Sequence, residues 1–207
     1  PMKNYHHGNL KEELISCASA MCERDGYTKL SIRSLAKESN VSQTAPYRHF
    51  KTKQDLYAAV ATDGFNKLSK AIHVDADKKV TKKQLVEMAS KYIEFGLKNA
   101  NTYDLMFGTA VGNFAAYPDL LESANSSYDN FRSSFSKLAN DSDEVIAFKC
   151  ITLWSMVHGL VGILRKVQVI EDEPIINPED GPISTAILIA SNLEDHLDKV
   201  VSGIVKN

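Results

Sequence analysis

Apolar residues recur along this chain at the three- and four-residue spacing of helices, and nowhere alternate for long at the two-residue spacing of strands. Leu10, Leu14, Ile15, Ala18, Met21 and Cys22 form the first stripe. Asn9-Leu10-Lys11-Glu12 reads as a capping box at its start, and Gly26 as its stop. A second helix starts at Ser31, with Leu30 and Leu35 placed as a hydrophobic staple and Ile32, Leu35 and Ala36 facing inward. Asn40, a residue that tolerates the left-handed conformation, ends it. Ser42 is expected to cap a third helix closed by Phe50. Thr52, with Asp55 three residues on, caps a fourth that carries Leu56, Tyr57, Val60, Leu68 and Ile72.

Longer helices follow. Residues 73–80 are a polar break. Thr81 and Gln84 make another capping box, before Leu85, Met88, Ala89, Tyr92 and Ile93. Asn101 with Asp104 is expected to start a short helix. Pro118 suits the first turn of the next, which runs to about Leu138. Asp141 with Glu144 is expected to cap a long helix ending near Val167. Residues 171–182, rich in proline and acids, read as a surface loop, and Ser184 as the cap of one last helix. The class is all-α.

Hydrophobic residues make up 43% of 207, enough for one compact domain or two small ones. The net charge of -2 hides an asymmetry. Residues 1–60 carry a net +3 and the remainder -5, so a basic amino-terminal piece sits on an acidic body, which hints at a polyanion partner. Three cysteines (Cys17, Cys22, Cys150) with no Cys-x-x-Cys spacing point to a reducing compartment, hence a cytoplasmic location, and to neither a disulfide framework nor a metal site. No signal peptide is visible, and Pro1 before Met2 reads as a cleavage scar. The longest apolar run, Ile151 to Leu164, is short for a membrane span and reads as a core helix.

The two short helices joined at Asn40 form a helix-turn-helix, whose second helix enters the major groove. The residues there have the required chemistry. Gln43 can pair with a base edge, Thr44 offers a hydroxyl or a methyl, and Ala45 and Pro46 are apolar enough to meet a thymine methyl. Tyr47, Arg48, His49 and Lys53 can donate to phosphates. Ser31 marks a helix N-terminus suited to a phosphate, and Arg33 can reach phosphate or guanine.

The segment LSIRSLAKESNVSQTAPYRHFKTKQDLYAAV, Leu30 to Val60, resembles the DNA-binding module of TetR-type transcriptional regulators. Ser31, Ile32, Arg33, Leu35, Ala36, Asn40, Val41, Ser42, Pro46, Tyr47, His49, Phe50, Thr52, Lys53 and Leu56 fall in register with that family's pattern. Asn40 stands where the family usually has a turn Gly, and Ser31 where it has Thr. LMFG (Leu105 to Gly108) and WSMVHGL (Trp154 to Leu160) are similar to the branch named for a Trp-His-Gly motif, here Trp154, His158 and Gly159. The resemblance implies a head over residues 1–56, a linking helix over about 53–72, and a helical ligand-binding and dimerisation domain over 57–207. It also implies a homodimer joined by its last two long helices, a near-palindromic DNA operator, and a small-molecule inducer that releases a repressor.

Candidate pocket residues are Tyr92, Phe95, Met106, Phe107, Trp154 and His158, because pockets are mostly apolar with few polar groups. The same side chains could simply fill a core. The apolar stripe of the last helix (Leu193, Leu197, Val200, Val201, Ile204) reads as a dimer face. An all-α enzyme would need a nucleophile with its base, paired carboxylates, a phosphate-binding glycine loop or metal-ligand spacing, and none is found. No cofactor is called for. Two other readings stay open: a non-specific or architectural DNA binder, and a small-molecule-binding protein without an operator.

Overall fold

The computed structural model describes residues 10–74, 80–138, 141–170 and 181–206. Asn9 of the first capping box, and most of the acidic loop, lie outside them. Among the described residues the regular elements are all helical: α1 (Leu10–Asp25), α2 (Ile32–Glu38), α3 (Lys53–Ala71), α4 (Lys82–Lys98), α5 (Ala100–Phe107), α6 (Pro118–Leu138), α7 (Asp143–Ile170), α8 (Pro182–Ser191) and α9 (Leu193–Lys206). Single 3₁₀ turns lie at Tyr27–Lys29, Pro46–Arg48 and Phe114–Ala116.

The chain forms two compact units. One holds residues 1–67 and 99–125, the other 68–98 and 126–207, so the boundary falls within α3 and within α6. In the first unit α1 packs on α2 and on α5. Leu14, Ala18, Leu35, Ala36, Phe50 and Leu56 are buried there. Each large aliphatic or aromatic side chain so buried contributes about 1.5–3 kcal/mol. In the second unit α4 packs on α7 and α9, and α7 on α8. Leu85, Met88, Ile93, Leu153, Val157 and Leu197 are buried in it.

Several caps act as their local sequence dictates. Ser31 Oγ accepts the Ser34 amide at 3.0 Å, and Ser34 Oγ accepts the Ser31 amide at 3.0 Å. Thr52 and Asp55 exchange the same two bonds at 3.1 and 2.9 Å, as do Thr81 and Gln84 at 3.3 and 2.8 Å. Pro118 is the first residue of α6.

Four helix starts differ from expectation. The segment after Asn40 is not a full third helix capped by Ser42. It is a turn at Gln43-Thr44 followed by the 3₁₀ turn Pro46–Arg48. Helix α5 begins at Ala100 with Asn99 as cap, because the Asn101 amide group reaches Glu23 instead. Asp141 is not the cap of α7. Its carboxylate holds Lys149 at 2.8 Å, and Ser142 Oγ faces the Val145 amide at 3.4 Å. Ser184 does not cap the last helix; it lies inside α8, its hydroxyl bonded to the Gly181 carbonyl at 2.7 Å. The last helix is itself two, broken at Asn192.

Candidate nucleic-acid interface

The turn of the helix-turn-helix is built by one residue. Asn40 has φ of 52°, the left-handed region, and is the only non-glycine with positive φ among the described residues. Its amide bonds the Lys37 carbonyl at 3.2 Å, and the Val41 amide bonds Ala36 at 3.1 Å. Those two bonds are the Schellman stop, satisfying carbonyls that the end of α2 leaves open.

The reading segment comes next. Ser42 Oγ lies 3.2 Å from Thr44 Oγ1, and the Ala45 amide bonds the Ser42 carbonyl at 3.0 Å. His49 and Phe50 both donate to the Pro46 carbonyl, at 3.0 and 2.9 Å. Phe50 is 2% exposed and pins the end of the turn to the core. Gln43, Thr44, Tyr47, Arg48 and His49 are exposed, and Ala45 is half-buried. Pro46 was expected to offer its ring to a thymine methyl. The ring is buried instead, because it packs inward while the residues around it turn out.

Basic groups ring this segment. Arg33 on α2 is exposed, as are Lys37, Arg48, Lys51 and Lys53. Among the described residues neither Arg33 nor Arg48 has an ion pair, so both guanidinium groups are held only by their stems. Arg24, in contrast, is committed to Asp25 and Glu38 at 2.8 Å each. Lys53 is oriented: its ammonium donates to the Thr28 carbonyl at 3.2 Å and sits 5.1 Å above the Tyr57 ring. The Tyr57 hydroxyl in turn donates to the Tyr27 carbonyl at 2.6 Å. Ser31 spends its hydroxyl on its own cap.

Lys51 is an addition that the sequence did not single out. Its ammonium donates to the Tyr47 carbonyl at 3.0 Å, and its amide joins that of Thr52 on Asp55. A lysine just before a Thr cap was the available signal.

The candidate pocket residues divide. Tyr92, Phe95, Trp154 and His158 belong to the second unit, Met106 and Phe107 to the first. In the second unit Trp154 Nε1 donates to the Tyr92 hydroxyl at 3.1 Å, and that hydroxyl lies 3.3 Å from His158 Nδ1. Burial holds the His158 imidazole below the ordinary histidine range. Phe131 meets Tyr92 edge-on at 6.0 Å. In the first unit Phe107 packs on Phe65 and Tyr103 at 5.3 and 4.6 Å, and Met106 is buried.

The expected dimer stripe also divides. Leu197 and Val201 are wholly buried inside the protomer, where α9 packs on α4 and α7, so these two are not on a free face. Leu193, Val200 and Ile204 are half-buried. Both buried cysteines, Cys22 and Cys150, have thiols pushed up to about 11 by burial, so they stay protonated at neutral pH.

Helix α2, its left-handed stop at Asn40 and a short 3₁₀ segment with exposed polar residues and unpaired arginines, in an all-α chain, define a helix-turn-helix DNA-binding protein. Residues 14–60 match the family model for bacterial regulatory proteins of the tetR family, and residues 85–173 the tetracyclin repressor-like C-terminal domain. The chain belongs to the TetR family of transcriptional regulators. No curated protein sequence matches it.

Solved structures share its fold along nearly all its length. A protein of unknown function from Rhodococcus sp. RHA1 is 24% identical with a TM-score of 0.70, over 96% of this chain and 98% of that one. A TetR variant from Acinetobacter baumannii AYE in complex with minocycline is 17% identical with a TM-score of 0.62, over 95% and 96%. The multidrug binding protein EbrR complexed with imidazole is 17% identical with a TM-score of 0.57, over 98% and 93%.

Proposed function

We propose that this chain is a ligand-responsive, sequence-specific repressor, acting as a homodimer in the cytoplasm on a near-palindromic operator. The observation that carries it is the exposed set Gln43, Thr44, Tyr47 and Arg48 on a turn fixed at both ends, flanked by unpaired Arg33. Gln43 and Thr44 would read base edges. Arg33, Tyr47, Arg48, His49, Lys51 and Lys53 would hold phosphates, with the amides behind Ser31. Pro46 would shape the turn without touching DNA. Residues 1–56 serve as the head and 57–207 as the regulatory body.

The homodimer is supported by the outer face of α7 and α8. Phe148, Ile151, Ile163, Val169 and Leu188 are 62, 42, 48, 69 and 64% exposed. Gly159 and Gly162 lie among them, with open space where a Cβ would stand, so a partner helix can approach closely. Phe148 also lines, with Val145, Thr152, Val200 and Ile204, a groove of about 460 Å³ between α7 and α9. A stretch of α7 has mean hydropathy 1.6 over 18 residues, apolar enough to cross a membrane. Lys149, Arg165 and Lys166 on that helix and its half-buried register favour a helix partner over lipid.

The small-molecule role is assigned to two sets, each within its own unit: Tyr92, Phe95, Trp154 and His158 in the second, Met106 and Phe107 in the first, apolar and aromatic side chains with a few polar tips. The complexes of two fold relatives with minocycline and with imidazole support such a role. Membership of the Trp-His-Gly branch is part of this proposal, supported by the motif residues Trp154, His158 and Gly159. The protein has no catalytic role in this scheme.

Selection of duplexes from a random pool tests the proposal. The expected product is a near-palindrome with half-sites about 10–10.5 base pairs apart, or a multiple. Retention of DNA with a salt dependence but no preferred sequence would instead mark an architectural binder.

A further inference from the structure

We propose that Glu23 is the positioning residue that locks α5 onto α1 and thereby sets the geometry of the reading head. This rests on the regulator reading above.

Helix α5 does not cap itself. Asn99, at its N-cap position, makes no side-chain bond to the first turn. The open amides go to another helix: Glu23, in the last turn of α1, accepts the Thr102 amide at 3.0 Å and the Thr102 hydroxyl at 2.9 Å through Oε2. Its Oε1 faces the Asn101 amide at 3.4 Å. The Asn101 side-chain amide donates back to the Glu23 carbonyl at 2.7 Å. A carboxylate on the first turn of a helix meets the partial positive charge of that end as well as its free donors. Four contacts between two residues of α5 and one residue of α1 fix both the position of α5 and its rotation about its axis.

A second helix closes the clamp. Gly64 of α3 lies so close to α5 that a Cβ added there would stand 2.6 Å from Met106 Sδ and 2.9 Å from Thr102 Cγ2. The Met106 thioether can swing aside. Thr102 cannot, because its hydroxyl and amide are held by Glu23. Next along α3, Asp63 accepts the Ser19 hydroxyl of α1 at 2.6 Å. Helices α1 and α5 and the part of α3 up to Lys67 thus share one compact unit with the helix-turn-helix, although α5 is separated from it in sequence by the whole of α4. Met106 and Phe107, the candidate ligand contacts on α5, stand at the far end of a helix whose near end is bolted to α1. A ligand that shifts them must either break the Glu23 contacts or move α1, on which α2 packs.

The clamp can be tested without knowing the ligand, using Gly64→Ala as a built-in wedge between α3 and α5. The probe is the duplex that the full-length wild-type chain selects from a random pool. Gly64→Ala is expected to weaken binding about 10-fold or more, and the same substitution in a Glu23→Gln background less than about 3-fold, since coupled sites are non-additive. Equal losses in both backgrounds would overturn the clamp and leave the regulator reading intact. Failure of the wild-type chain to select any duplex would overturn both. If Gly64→Ala does not fold by circular dichroism, Met106→Phe swells the same contact from the α5 side and takes its place in the cycle. Amide exchange provides a readout that a merely local cap would not move. The wedge should raise exchange across residues 43–50 when Glu23 is present and leave it unchanged when Gln replaces it.

Discussion

The carbonyl of Ser42 accepts the amide of Ala45, three residues on, because the residue four on is Pro46 and has no amide proton to give. The turn is therefore tighter than an α-helix and carries its polar residues on a short, stiff segment. Pro46→Ala restores the missing donor and removes a buried ring. The expected cost is about 1 kcal/mol of stability, from lost burial and a freer unfolded chain. Amide exchange at Arg48, His49 and Phe50 should quicken, and DNA affinity should fall for all sequences alike. A variant that melts higher and exchanges more slowly would show that the α-helical form is the better one, contrary to the role given to Pro46.

Gln43 and Arg48 are both exposed on the reading segment, and the proposed function gives them different tasks. Arg48→Ala should weaken every duplex similarly and lower the slope of log affinity against log salt by about 1. Gln43→Ala should leave that slope alone and relax preference at one operator position, by about 1–3 kcal/mol. Measurement of both variants at several salt concentrations, on matched and mismatched duplexes, separates the two. An exchange of phenotypes would reverse the assignment.

The parts of this fold that were legible in the sequence are those determined within four residues. The Ser31, Thr52 and Thr81 caps, the Asn40 stop and the Pro118 start are local chemistry. The parts misread are those where a side chain leaves its own turn for a distant partner. Asn101 goes to Glu23, 78 residues away, and Asp141 to Lys149 across the start of α7. No pattern near Glu23 announces its role. The stripe Leu197–Val201 was correctly apolar, but an apolar stripe does not say whether its cover is the same chain or another copy. The reading turn itself was visible as chemistry, while its length depended on how the chain accommodates one proline.

Leu197 and Phe148 test where the dimer forms. Leu197 is fully buried and Phe148 is 62% exposed. Leu197→Glu should place an unpaired charge in the protomer interior and cost about 4 kcal/mol or more, an unfolding defect seen as a large loss of melting temperature. Phe148→Glu should leave the melting of the isolated protomer nearly unchanged, and sedimentation should show monomers. A Phe148→Glu chain that still sediments as a dimer would remove the α7 face from the interface.

His158 offers a pH test of the aromatic cluster. Burial holds its imidazole below the ordinary value of 6.5, so the folded protein keeps it neutral where the unfolded chain begins to protonate. Between 6.5 and the lower folded value the unfolded state binds more protons, so stability falls as pH falls through that window. His158→Gln removes the titration. The wild-type melting temperature should therefore drop more than the variant's between about pH 7 and pH 5.5. Trp154 is the sole tryptophan in the chain, and its ring lies 5.6 Å from the imidazole. Its fluorescence should fall with the same midpoint as His158 protonates in the native state, and the variant should show no such step. A fluorescence step that persists in His158→Gln would assign the proton to another group and detach His158 from the hydrogen-bonded set around Tyr92.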